Sequence, residues 1–255
     1  MSTDYVVRLE QGRTRRVSRP VLGALADALE LAADERAYLF SLADIAPRAR
    51  ARRQPAEQRV DPVLQQLIDG MPDIPALILS RRLDVLAWNT AATALQADFA
   101  AIASGKRNLI RMIFLDSAYR SLFADWPGVA RRCVAVLRRE AGLHPDDVAL
   151  TALVGELSLR DPDFRIWWAS HQVRGPHQVT KTYRHPVAST LTLDVRQLCV
   201  ETQPDQILAT YTARPGSPSE EALRFLLQWS GRTSDQDDVL APNSGHHFDA
   251  GNAHA

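Results

Sequence analysis

The chain has 255 residues, 45% hydrophobic and 24% charged, and its 30 basic and 30 acidic side chains cancel to a formal charge of zero. Such proportions describe a globular protein with a buried core and argue against a molecule that holds polyanions by bulk charge. No stretch reaches the uninterrupted apolar length of a membrane span and the N-terminus is polar rather than signal-like, so a cytoplasmic location without membrane partners is expected.

Cys133 and Cys199 are the only cysteines, too few for a disulfide framework or a cysteine-rich zinc site, and their apolar contexts suggest buried free thiols. Positive charge gathers in the first sixty residues, among them Arg8, Arg13, Arg15, Arg16, Arg19, Arg48, Arg50, Arg52, Arg53 and Arg59. A nucleic-acid partner would be sought there. Lys106 and Lys181 are the only lysines, and this Arg bias reads first as codon usage and only second as phosphate recognition.

Met1 to Arg16 reads as a short helix with Ser2, Thr3 and Asp4 as candidate caps and Gly12 at its exit. A second helix spans Ser18 to Glu30, capped by Ser18, with Pro20 in its first turn and Val21, Leu22, Leu25, Ala28 and Leu29 on one stripe. A third spans Asp34 to Asp44. Pro47 to Arg59, Arg-rich and without apolar periodicity, is the expected linker, and Pro62 to Met71 a short helix beyond it.

From Asp73 to Leu95 two apolar runs, Ala76 to Leu79 and Leu83 to Trp88, flank a polar Ser80-Arg81-Arg82 turn. This spacing predicts an antiparallel hairpin. Asn89 then caps an Ala-rich helix, because its side-chain oxygen can accept from a free amide of the first turn. Strand, turn, strand and capped helix is the opening of a PAS-type sensor domain. Helices follow over Asn108 to Phe114, Ser117 to Phe123, Trp126 to Glu140, Asp146 to Leu157 and Asp161 to His171. Strands are expected over Gln178 to Arg184, Thr190 to Val200 and Gln206 to Ala213, with Leu191, Leu193 and Val195 facing the core. A capping box at Ser217 to Glu220 starts a last helix through Leu227, and the polar stretch from Gly231 onward is expected to be disordered.

Several words then take on a pattern. Arg81-Arg82-Leu83-Asp84-Val85-Leu86-Ala87-Trp88-Asn89, Arg107-Asn108-Leu109 with Phe114-Leu115-Asp116, Gly155 to Arg160 leading to Trp167-Trp168 and His171, and Tyr211 to Ser219 resemble the ligand-binding domain of MmyB-like bacterial transcription regulators. The resemblance covers roughly Val60 to Leu227. Asp4 to Arg13 is similar to the recognition helix of an XRE-type helix-turn-helix, with the two following helices completing its second half. The two helices that would precede Met1 in that family are missing, which puts DNA binding by the chain as written in doubt. A start codon placed too late is the favoured expectation, beside a trimmed chain or a natural loss.

The fold class expected is therefore α+β: a partial all-α helix-turn-helix segment over residues 1–46, a linker over 47–59, a PAS-like domain over 60–230 whose five-stranded antiparallel sheet is covered by helices and polar on one face, and a disordered tail over 231–255. No nucleophile elbow, phosphate-binding loop or His-Glu-x-x-His helix is present, and His246, His247 and His254 lack a rigid frame for a metal. Glu156 with His171 could be posed as an acid and base pair, yet solvation and the helix dipole explain each alone. No catalytic residue, metal site or cofactor is expected.

Large aromatic residues suggest a pocket, since concave sites are mostly apolar with a few polar anchors. Trp88, Phe114, Trp126, Phe164, Trp167, Trp168 and Tyr211 are the candidates, with Asn89, Asn108, Arg111, His171 and Arg174 as polar anchors; for each, a place in the core, a cap or a solvated surface is the plain alternative. The resemblance implies a fatty-acid-like ligand there. It also implies DNA contacts by Thr3, Asp4, Tyr5 and Arg8, with Arg13, Arg15 and Arg16 on phosphates, in a homodimer on a palindromic site. A stand-alone ligand-binding module and a hydrolase using the same pocket are the alternatives.

Overall fold

A computed structural model describes residues 17–44, 59–170, 179–201 and 203–240. Helix α1 (Arg19–Ala28) turns through Glu30, at a φ of 51°, into α2 (Ala33–Asp44). Ser18 holds the cap position of α1 with an extended backbone but makes no side-chain cap bond, so Pro20 in the first turn is the feature that starts the helix. Arg36 of α2 pairs with Asp27 of α1. The expected helix over Met1 to Arg16 and the linker up to residue 58 lie outside the described residues.

Helix α3 (Pro62–Asp69), capped by Asp61, leads to the hairpin of β1 (Ala76–Ser80) and β2 (Val85–Trp88). Leu77 faces Trp88 and Ile78 faces Ala87, with a bulge before Leu79. The turn holds Leu83 at a φ of 64°. Ser80 secures it: its hydroxyl accepts from the amides of Arg82 and Asp84, both at 3.1 Å, and donates to the Asp84 carboxylate at 2.8 Å.

The helical roof follows as α4 (Thr90–Leu95), a single 3-10 turn, α5 (Leu109–Leu115), α6 (Ser117–Ser121), α7 (Trp126–Leu143), α8 (Val148–Arg160) and α9 (Pro162–Ala169). Each of these six α-helices begins with an Asn or Asp whose side chain accepts from a first-turn amide: Asn89, Asn108, Asp116, Asp125, Asp147 and Asp161. Punctuation this regular explains why the boundaries could be read from sequence to within a few residues.

Strands β3 (Val179–His185), β4 (Ser189–Val200) and β5 (Gln203–Ala213) complete a five-stranded sheet in the order β2-β1-β5-β4-β3, antiparallel at every pairing. The sheet order and the helices inserted between β2 and β3 make a mixed α+β, PAS-like domain. Alternation sends Leu191, Leu193 and Val195 inward beside Leu77, Leu79, Ala209, Tyr183 and Tyr211, where the roof covers them.

Three expectations need correction. The outer face is not uniformly polar: α3 lies on it, and Ile68 is buried among Ala76, Ile78, Ala87 and Leu208, while on the β3 and β4 side Thr180 and Thr192 are exposed and Thr182 is half-buried. Helix α10 (Pro218–Leu240) does not stop at Leu227 but runs through Gly231, so residues 231–240 of the expected tail are helical and its remainder, 241–255, lies outside the described residues. Its start carries the predicted Ser217 cap, but Glu220 reaches back to the amide of Gly216 at 2.7 Å. Cys199 is exposed near the end of β4 rather than buried, because β4 past Val195 leaves the core; Cys133 is partly covered.

Helix α2 reaches the domain itself. Tyr38 and Leu42 sit against Gly142 near the end of α7, where any Cβ would overlap the Tyr38 hydroxyl.

Candidate ligand-binding site

The roof helices bring five of the predicted aromatic residues into one group. Phe114 on α5 meets Trp126 at 5.8 Å, Phe164 at 5.1 Å and Trp167 at 6.0 Å between ring centres, all edge-on, while Trp168 stacks on Phe164 at 5.8 Å. The edge-on geometry sets the positive rim of one ring against the negative face of the next. Arginines close the outer sides: Arg120 lies over Trp126 at 3.3 Å, Arg131 over Trp167 at 4.9 Å and Arg138 over Trp168 at 4.4 Å. Trp126 also donates its indole N–H to the carbonyl of Ile113 at 2.8 Å.

Trp88 and Tyr211 sit elsewhere. Trp88 pairs with Phe99 at 5.5 Å under Arg107, and Tyr211 faces Tyr183 at 6.5 Å on the sheet. All these rings pack on one another within the core. Two hollows lie at the margins of the candidate residues. One of about 150 Å³ is bordered by Trp168, Ala141, Leu150 and Val154; the other, of about 330 Å³, by Asn89, Thr90, Pro72 and Leu227.

The predicted polar anchors hold the fold. The Asn89 carboxamide accepts from the amides of Ala92 (2.9 Å) and Ala76 (3.0 Å) and donates to the carbonyls of Ile68, Met71 and Ile74, tying α3, β1 and α4 together. Asn108 accepts from the Arg111 amide and donates to the carbonyl of Arg82 and the carboxylate of Asp84. Arg111 itself grips Glu156 at 2.7 and 2.8 Å and the carbonyl of Gly105 at 3.1 Å. The Arg111 hydrogen bond, against the cost of burial, holds the Glu156 carboxyl below the usual carboxylate range. The carboxamide N–H groups of Asn89 and Asn108 are thus already used within the fold, and Arg111 is committed to Glu156 and Gly105. His171 and Arg174 lie outside the described residues, as do Thr3, Asp4, Tyr5, Arg8, Arg13, Arg15, Arg16 and the three tail histidines.

A polar set on the inner face escaped the sequence reading. Tyr119 donates to the side-chain oxygen of Gln96 at 2.5 Å, but the Gln96 amide nitrogen and the hydroxyl of Tyr183 are buried without a hydrogen-bond partner. Burial pushes the Tyr119 and Tyr183 hydroxyls well above the usual tyrosine range and raises the Cys133 thiol, the last against the opposing charge of Lys181. The available signal was the Lys181, Tyr183 alternation on β3, which places both on one face.

Residues 60–226 match the MmyB-like transcription regulator ligand-binding domain. The chain belongs to this family. As a member of the MmyB-like family it carries a regulator's ligand-binding domain, built here as a roofed sheet. No curated protein matches the chain. Among the described residues no helix is long and apolar enough to cross a membrane.

Proposed function

We propose that this chain is a ligand-responsive transcription regulator of the cytoplasm that reads DNA through its N-terminal helices and holds a small, fatty-acid-like molecule in its PAS-like domain. The observation that carries this reading is the family match over residues 60–226, on a sheet roofed by an aromatic group. Phe114, Trp126, Phe164, Trp167 and Trp168 form the apolar wall, with Trp88, Tyr211, His171 and Arg174 as further contacts. Residues 1–46 form the reader, 47–59 the tether and 60–230 the sensor, with Thr3, Asp4, Tyr5 and Arg8 facing base edges and Arg13, Arg15 and Arg16 facing phosphates.

Tyr38 of α2 against Gly142 of α7 supports communication between the two parts, because α7 carries Trp126 of the aromatic group at its other end. A ligand that favours one arrangement of this contact shifts how two copies, as a homodimer, meet a palindromic operator. Native mass spectrometry of the gently purified chain should reveal a retained lipid. A mobility-shift titration across salt should show binding that weakens as salt rises. A chain that retains no apolar ligand counts against the sensor; one that keeps its ligand yet binds no DNA at any salt is a ligand-binding module alone.

A further inference from the structure

Glycine weakens a helix relative to alanine, so a glycine kept inside one calls for a reason. At the helical positions Gly23, Gly155 and Gly231 a Cβ would meet nothing within 4 Å, and at Gly128 it would meet only the Asp125 carboxylate that caps the same helix. Gly142, in the last turn of α7, differs. A Cβ there would overlap the Tyr38 hydroxyl and lie 2.8 Å from the ring carbon that bears it and 3.2 Å from a methyl of Leu42, both on α2 and far away in the chain. Nor does the backbone require glycine at this position, since Gly216 alone of the described glycines has a positive φ. Gly142 supplies room.

The side chain admitted there is tied to the aromatic group by a single residue. Tyr38 is half-buried, and burial raises its hydroxyl above the usual tyrosine range against the opposing charge of Arg138, one turn earlier on α7. Arg138 feels Tyr38 in return, and its guanidinium lies over the ring of Trp168 at 4.4 Å. Trp168 stacks on Phe164, which meets Phe114 at 5.1 Å. Ala141 and His144, on either side of Gly142, border the hollow of about 150 Å³ beside Trp168. One end of α7 therefore faces α2 with one residue and the roof with its neighbours.

Whatever holds α2 holds α1 as well. Arg36 of α2 pairs with Asp27 of α1, Leu22 and Ala26 of α1 are buried, and the Leu31 amide between the helices donates to the Ala26 carbonyl at 3.0 Å. The two helices thus dock or leave together.

We infer that the last turn of α7 is a seat for the N-terminal helices, in which Gly142 admits Tyr38 and Arg138 links the seat to Trp168, so that displacing Trp168 loosens α1 and α2 together. This rests on the proposed sensor reading for what displaces Trp168, whereas the seat itself needs no ligand. A bound molecule would act through it only as far as it favours the docked or the loosened arrangement.

Hydrogen–deuterium exchange of the full chain, read by mass spectrometry, tests the seat. Gly142→Gln, which fills it, and Tyr38→Ala, which removes its occupant, each speed exchange over residues 19–44 about tenfold or more while leaving β1 and β5 as in the parent. Trp168→Leu, a change in neither α2 nor α7, speeds the same residues about threefold. Tyr38→Ala decides alone if Gly142→Gln does not fold, because alanine is the better helix former and faster exchange then reports undocking rather than a weaker α2. Parental exchange over residues 19–44 in both Gly142→Gln and Tyr38→Ala overturns the seat, and parental exchange in Trp168→Leu alone overturns the link through Arg138. Release of α1 and α2 by these variants in a chain that retains no lipid upholds the seat while the sensor reading falls.

Discussion

Asn89 and Asn108 beside the hairpin and Gln96 and Tyr183 under the roof are buried equally well but bonded differently. Asn89 and Asn108 are 5% and 1% exposed, Gln96 and Tyr183 7% and 0%. At the hairpin, both carboxamides meet partners on both ends, in five bonds for Asn89 and three for Asn108. Gln96 and Tyr183 each keep one polar atom that meets nothing, as does Gln206 beside Ser80 of β1. Depth of burial therefore does not separate a structural polar group from a candidate for recognition. Completeness of its bonding does, since a satisfied group has nothing left to offer a ligand.

Substitutions should divide along the same line. Asn89→Ala has the largest expected effect, a loss of about 3–5 kcal/mol in urea unfolding, because it removes a helix cap and takes a donor from the carbonyls of Ile68, Met71 and Ile74 and an acceptor from the Ala76 amide. A loss under about 1 kcal/mol would show that these bonds are replaced by water and that the hairpin side is no more committed than the other. Asn108→Asp keeps the cap of α5 but sets a carboxylate against Asp84 and gives up the bond to the Arg82 carbonyl, so about 2–3 kcal/mol should be lost at neutral pH in the same assay.

Asp147→Asn should cost about 2 kcal/mol at neutral pH. Asp147 caps α8 and receives Arg81 at 3.0 Å and Arg82 at 3.2 Å from the hairpin turn, and Asn would keep the cap while losing the charge. Burial alone would raise this carboxyl, but the Leu150 amide and the two arginines outweigh it and hold the group below the usual carboxylate range. A depressed folded pKa gives stability that is complete above the unfolded value and disappears as pH falls through the folded one. The difference between parent and variant should accordingly be full at neutral pH and vanish in acid, in thermal scans taken across that range.

Tyr183→Phe has the smallest expected effect, within about 0.5 kcal/mol of the parent or slightly stabilising once lipid has been extracted. A destabilisation as large as that of Asn89→Ala would mean that the hydroxyl has a partner in solution and belongs with the hairpin group.

Local signals were legible wherever chemistry and position coincide in sequence. Asn89 after a β-rich run, Asp161 before Pro162, and the alternation of Leu191, Leu193 and Val195 each describe their own surroundings within a few residues, and all three elements formed where expected. Gly231 misled, because a single glycine in a polar stretch reads as an end, yet α10 passes through it. Asn89, Asn108 and Arg111 were legible as polar residues near aromatic words, but not as residues bonded into the fold, since their partners lie 15 or more positions away at Ile68, Ile74, Arg82 and Glu156.

What the amino-acid order by itself determined was the succession of capped helices and strands, and with them the family, because caps and alternation act over three or four residues of chain. Which buried polar groups would find partners was settled only when β3 took the edge of the sheet and brought Tyr183 against Phe123, which also packs on Tyr119 under the roof. Satisfaction of a hydrogen bond is a property of where two distant segments come to rest, and a deficit in it cannot be expressed by either segment alone.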